Sequence, residues 1–147
     1  MRDYRSIASI GAIVLGVLMI IGGIATWTLV SSELEAQSIT VADDADWFAG
    51  ETVNGPFDAY SQAEIIEKHA LDATDGQTYA ELPRDSELRP VAMNASFLRA
   101  SLYTSIVAFG VAAMAIGMGI VFVLIGLGMR DVRAVARTAE SKAATTV

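Results

Sequence analysis

Two stretches of the chain carry no charged side chain at all: Ser6 to Ser32, 27 residues, and Ala100 to Met129, thirty residues held between Arg99 and Arg130. Each is too long for the core of a small soluble domain and long enough for a helix that crosses a bilayer. The pattern between them is different. It is acidic and broken by turn signals such as Asn54-Gly55-Pro56. The pattern therefore predicts a mainly α fold: a two-span transmembrane helical hairpin with a small helix-rich extracytoplasmic cap between the spans. The expected organisation is a cytoplasmic N-terminus (1–6), a first transmembrane helix (7–30), an acidic extracytoplasmic segment (31–99), a second transmembrane helix (100–129) and a basic cytoplasmic tail (130–147).

Inside the middle segment, Glu33 to Gln37 prolongs the first helix and Ser38-Ile39-Thr40-Val41 reads as a short β-type run. Asn54-Gly55-Pro56 is a turn signal. Tyr60-Ser61-Gln62-Ala63-Glu64-Ile65 has the form of a helix start, with Ser61 as N-cap, Glu64 as its capping-box partner and Tyr60 stapled to Ile65. That helix is expected to run to about Ala73, with Ala63, Ile66 and Ala70 on its buried side and Gly76 near its end. Thr78 to Leu82 is a possible second short element, Pro83 to Pro90 a loop, and Asn94 the cap of the second long helix.

Charge fixes the expected orientation. From Ser31 to Arg99 there are fourteen Asp and Glu against Lys68, Arg84, Arg89 and Arg99. By contrast Arg2 and Arg5 precede the first span, and Arg130, Arg133, Arg137 and Lys142 follow the second. By the positive-inside rule both basic flanks are cytoplasmic and the acidic segment lies outside. Arg130, Arg133 and Arg137, at spacings of three and four, share a helix face suited to anionic headgroups. Tyr4 and Trp27 bracket the first run at roughly 34 Å of helical rise, a fitting separation for two interfacial anchors. That run is far longer than a cleavable signal's apolar core, and Leu34-Glu35-Ala36 lacks the small-x-small pattern of a cleavage site, so it is expected to stay as an anchor. A net charge of −7 beside a mean hydropathy of +0.46 is the sum of these unlike blocks.

Small residues fall on lines along both spans. Ser9, Ala12, Gly16 and Gly23 form one in the first. In the second, Gly110, Ala113, Gly117 and Gly128 form one, and Ser101, Ala108, Ala112, Ala115, Gly119 and Gly126 form another on the opposite side. Such lines let backbones approach closely in lipid, and a two-sided helix suggests two neighbours: the first span, and either a second copy of the chain or another membrane protein. Gly and Ala are also simply common in membrane helices, and the pattern alone leaves both readings open.

Chemistry is harder to find. The chain has no cysteine, which removes disulfides, zinc-thiolate sites and iron–sulfur clusters. His69 is the single histidine, so neither a two-His-one-carboxylate iron site nor a two-His zinc site can be assembled from one copy. Asp43, Asp44 and Asp46 invite a calcium loop, but an EF-hand begun at Asp44 puts Ala49 where glycine is required, with Gly50 one residue late. The spans hold no Asp, Glu, Lys, Arg or His, the usual marks of an ion pathway. No glycine-rich phosphate loop sits between a strand and a helix, and the acidic balance opposes nucleic acid as a partner. Asn94-Ala95-Ser96 matches a glycosylation acceptor by three residues only.

The runs Gly55-Pro-Phe-Asp-Ala-Tyr-Ser-Gln-Ala-Glu-Ile-Ile-Glu-Lys-His-Ala-Leu71, Thr78-Tyr-Ala-Glu-Leu82 and Met93-Asn-Ala-Ser-Phe-Leu-Arg-Ala-Ser-Leu-Tyr-Thr-Ser105 resemble a family of small actinobacterial two-span membrane proteins, the likeness extending from about Arg5 to Gly128. The resemblance implies the two-span topology. Members are often described as aromatic ring-opening dioxygenases, an activity for which one histidine and no cysteine leave no iron site here. The expectation is thus a non-catalytic membrane protein without a cofactor, an accessory or scaffold subunit of a larger envelope complex or of a homo-oligomer, bound by the lipid bilayer and by association through the second span. The alternative is a membrane-tethered metal-dependent enzyme or sensor using His69 and the outer acids.

Overall fold

A computed structural model describes the backbone of residues 2–145 and the side chains of Tyr4 and of residues 6–130. Three helices make up the fold: α1 (Arg2–Ala36), α2 (Pro56–Ala73) and α3 (Arg89–Thr145). Among the described residues there is no strand, only one antiparallel bridge between Thr40 and Thr52. The protein is mainly helical, and α1 and α3 are each long and apolar enough to cross a membrane, over Ser6–Ala36 and Arg89–Arg130. Only 17% of the most apolar stretch of either is buried within the chain. A core helix of a soluble domain would have its apolar side chains covered. Here Ile7, Leu18, Val107 and Leu124 are each at least 60% exposed.

The chain divides into two compact units. One combines α1 up to Ala25 with α3 from Ala112. There the two helices run antiparallel, and the buried positions recur every seven residues: Ser9, Gly16 and Gly23 on α1 lie against Gly126, Gly119 and Ala112 on α3. A seven-residue repeat keeps one seam facing its partner along both rods.

The other unit comprises Thr26 to Val111. Its core is Leu34, Val41, Val53, Ala59, Ala63, Leu102 and Phe109, flanked by Val30, Ile39, Ala45, Ile66, Tyr103 and Ile106. Trp27 stands edge-on to Phe109, ring centroids 4.7 Å apart. The uncharged run of α3, thirty residues or roughly 45 Å of helix, exceeds a hydrocarbon layer of about 30 Å, and Leu102, Tyr103, Ile106 and Phe109 near its start spend their apolar surface on this unit's core.

The β-type run does not extend into a ladder. Val53 N–H donates to Ile39 and Val41 N–H to Glu51, both at 2.9 Å, and Val41 and Val53 are buried. The crossing then stops, because Gly50 already turns back through a left-handed conformation, φ 76°, with its N–H on the Val41 carbonyl.

Helix α2 begins six residues ahead of the expected start. Gly55 is the N-cap and Pro56 the first helical residue, a position where the missing N–H costs nothing. The Asp58 carboxylate reaches back to the Gly55 N–H (2.9 Å) and the Asn54 N–H (3.2 Å). Ser61, expected as the cap, lies inside the helix and donates instead to the Trp47 carbonyl at 2.6 Å. Ala59, Ala63 and Ile65 are buried, whereas Ile66 and Ala70 are half-buried. The helix ends at Ala73 as the pattern predicts. Asp75 and Gly76 follow in the left-handed region, and the Gly76 N–H closes on the Leu71 carbonyl at 2.8 Å. The buried Thr74 hydroxyl lies 2.9 Å from the Ala70 carbonyl and 2.5 Å from that of Gln77.

Thr78 to Leu82 is a turn, held by the Glu81 carboxylate, which accepts from the Thr78 N–H and hydroxyl, both at 2.8 Å. Those two bonds, the backbone one first, hold the Glu81 carboxyl below the usual carboxylate range. Asn94 does not cap α3, which starts at Arg89 with Pro90 in its first turn. The Arg89 guanidinium covers the Tyr79 ring at 4.0 Å and donates to the Leu82 carbonyl at 2.7 Å.

Candidate functional site

Two surfaces are candidates. The first is the helix pair. Ser9, Gly16 and Gly23 of α1 are buried and Ala12 is half-buried. On α3 the line Ala112, Gly119 and Gly126 is buried, with Ala108 and Ala115 half-buried. The approach is close enough to exclude a methyl group. A β-carbon at Gly23 would lie 2.7 Å from the Ala112 carbonyl oxygen, and one at Gly126 2.9 Å from that of Ser9. The Ser9 hydroxyl donates to the Gly126 carbonyl at 2.8 Å, out of reach of solvent.

The other small-residue line of α3 meets nothing. Gly110, Ala113, Gly117 and Gly128 are exposed, and around each of the three glycines there is open space within 4 Å of where a β-carbon would stand. Arg130 is exposed; the side chains of Arg2, Arg5, Arg133 and Arg137 lie outside the described residues.

The second surface is a cleft of about 410 Å³ in the other unit. One wall is the loop from Asp44 to Phe48; the other is the face of α2 carrying Phe57, Tyr60, Ser61, Glu64, Ile65 and Lys68. Three side chains of α2 fasten the loop. Gln62 Oε1 accepts from the Ala42 N–H at 3.0 Å, Ser61 holds the Trp47 carbonyl, and His69 Nε2 meets Asp44 Oδ2 at 2.8 Å. The hydrogen bond from His69 keeps the Asp44 carboxyl below the usual carboxylate range. Phe48 sits at φ 58°, a left-handed conformation that is unusual for an aromatic residue and needs surrounding support. Tyr60 packs edge-on against Tyr103 with centroids 6.2 Å apart, and the Tyr103 hydroxyl donates to Glu64 at 2.6 Å. Arg99 pairs with Glu67 one turn along, tying α3 to α2.

No family model, curated protein or solved structure matches the chain. Among the described residues no group of three His, Asp or Glu is placed to hold a metal ion. His69 faces one carboxylate, Asp44. Asp43, Asp44 and Asp46 form no such group: Asp44 bonds His69 on α2, and Asp44 and Asp46 both line the cleft.

The cleft is the feature that the pattern of the chain does not announce. Its α2 wall was legible as a helical stripe, since Phe57, Tyr60, Glu64 and Lys68 recur at intervals of three and four. Starting the helix at Ser61 cuts that stripe in half. Its loop wall required knowing that residues 42–47 fold back onto α2, which no local spacing reveals.

Proposed function

We propose that the chain is a non-catalytic integral membrane protein, an accessory or scaffold subunit that associates through α3 with a second copy of itself or with another membrane protein. One observation carries the reading: the face of α3 bearing Gly110, Ala113, Gly117 and Gly128 is smooth, apolar and uncovered. In lipid, helices associate through close backbone packing over small residues rather than through the hydrophobic effect. The opposite face of α3 already uses that device against α1. In this reading α1 and α3 span the bilayer, both basic flanks lie in the cytoplasm, and residues 31–99 form an acidic cap outside, in keeping with the positive-inside rule. The resemblance to small actinobacterial two-span proteins points the same way.

Mass measurement of the native particle in mild non-ionic detergent tests the association. The expected result is a homo-oligomer or a stoichiometric complex that a Gly117→Leu variant reduces to the monomer. A strictly monomeric wild-type particle with no partner overturns the proposal. Reporters fused after Thr74 and at Val147 test the topology, and the expected result is opposite sides of the membrane.

A further inference from the structure

We infer that the cleft between the 44–48 loop and α2 is a binding site for a small organic cation, an alkylammonium group seated on Trp47, Phe57 and Tyr60 with Asp46 and Glu64 as counter-charges. This goes beyond the scaffold reading and does not rest on it, because a monomeric chain would have the same cleft.

Three observations converge. The first is size. About 410 Å³ lies within the range of small-molecule sites and well above a packing defect. The second is ring exposure. Trp47 is 73% and Phe57 74% exposed, outside the buried core that holds Val41, Ala59 and Ala63. Aromatic rings carry negative potential on their faces and attract cations, and Trp47, Phe57 and Tyr60 all line this cleft. The third is charge. The cleft carries Asp44, Asp46 and Glu64 against Lys68 alone. Asp44 is taken by His69 and Glu64 is shared with Tyr103, while Asp46 has no hydrogen-bond or ion-pair partner among the described residues. An anion would meet three carboxylates, and a neutral apolar ligand would leave them unused. A cation with an apolar body satisfies both linings.

Choline is the probe, with its neutral isostere 3,3-dimethylbutan-1-ol as control. In a Trp27→Phe background Trp47 is the sole tryptophan, so its fluorescence reports the cleft directly; calorimetric titration of the unsubstituted chain gives the same constant without any change in α1. The full chain is held in nanodiscs of phosphatidylglycerol. The expected result is saturable binding of choline and no saturable binding of the isostere. By calorimetry, Trp47→Ala and Asp46→Asn should each weaken choline by about five- to thirty-fold. Lys68→Met should tighten it, because it removes the one like charge at the site; an anion-binding cleft would respond in the opposite sense.

Nanodiscs of phosphatidylcholine separate the two sources of such a group. If the lipid headgroup is the natural occupant, Trp47 is already shifted there and added choline does nothing more. If the ligand is free in solution, choline titrates equally in both discs. Equal binding of the neutral isostere, tightening by Asp46→Asn, or absence of any saturable response in both discs overturns the inference. So does quenching of Trp47 by bromines placed in the acyl chains, which would make the cleft a surface buried in lipid.

Discussion

Gly16 and Gly119 occupy each other's side-chain space. A β-carbon on Gly16 would stand 2.5 Å from the Gly119 carbonyl oxygen, and a β-carbon on Gly119 would stand 2.6 Å from the Gly16 carbonyl oxygen. Both obstacles are backbone, which cannot rotate aside. Gly16→Val and Gly119→Val should therefore each force α1 and α3 apart, at a cost of about 1–3 kcal/mol or more. Gly110→Ala, facing open space, should leave the stability of the single chain unchanged or slightly raised. Reversible unfolding in mixed micelles distinguishes the two sets, and equal destabilisation by all three would contradict the seam described above.

Ser9→Ala removes the hydroxyl that donates to the Gly126 carbonyl. That carbonyl keeps its ordinary helical partner one turn on, so nothing is left unpaired. The expected loss is small, about 0.6 kcal/mol and below about 1.7, read by the same unfolding measurement. A loss as large as that of Gly16→Val would mean that the hydroxyl, rather than close packing, holds the pair.

The start of α2 gives a contrasting pair. Asp58→Ala frees the N–H groups of Gly55 and Asn54 and should cost about 1 kcal/mol, up to about 2, with amide exchange accelerating at those two residues. Ser61→Ala should leave the helix start protected and loosen only the 42–48 loop, which it holds through the Trp47 carbonyl. Faster exchange at Gly55 in Ser61→Ala would restore Ser61 as the cap.

That pair also shows how far local pattern carries. The long helices follow from two uncharged runs, and the end of α2 follows from Gly76. The start of α2 does not, because Ser61-x-x-Glu64 matches a capping box while Gly55-Pro-x-Asp58 offers half of one, glycine having no side-chain oxygen. Pro56 at the first helical position and Asp58 at the third were the deciding signal. Asn94 lies inside α3 for a similar reason, since Pro90 is tolerated in a first turn and the helix begins five residues ahead of that polar side chain. His69 and Asp44 are 25 residues apart, and their meeting depends on where the Ile39–Val41 crossing with Glu51–Val53 sends the intervening loop. Spacing along the chain holds no record of that path.

The Asp44 link sets a pH dependence. Its folded-state pKa is depressed by the His69 hydrogen bond, so the folded state binds that proton less readily than the unfolded chain does. The contribution is fully present above the ordinary aspartate pKa and is lost as pH falls through the lowered folded value. Carboxyl-carbon NMR of Asp44 should show a titration displaced to acid, moving back toward the ordinary range in His69→Ala. An unchanged Asp44 titration in that variant would show that the hydrogen bond is not formed in solution.

Ser61, Gln62 and His69 are replaceable pins: the loop that carries Trp47 is hung on α2 by side chains and by no main-chain ladder. The gap between the two walls is accordingly set by the length of these pins, and swapping one for a shorter or longer side chain moves the loop, Trp47 and Phe48 with it, against a fixed α2. Descendants of this chain could change what fits there without rebuilding the scaffold that holds it.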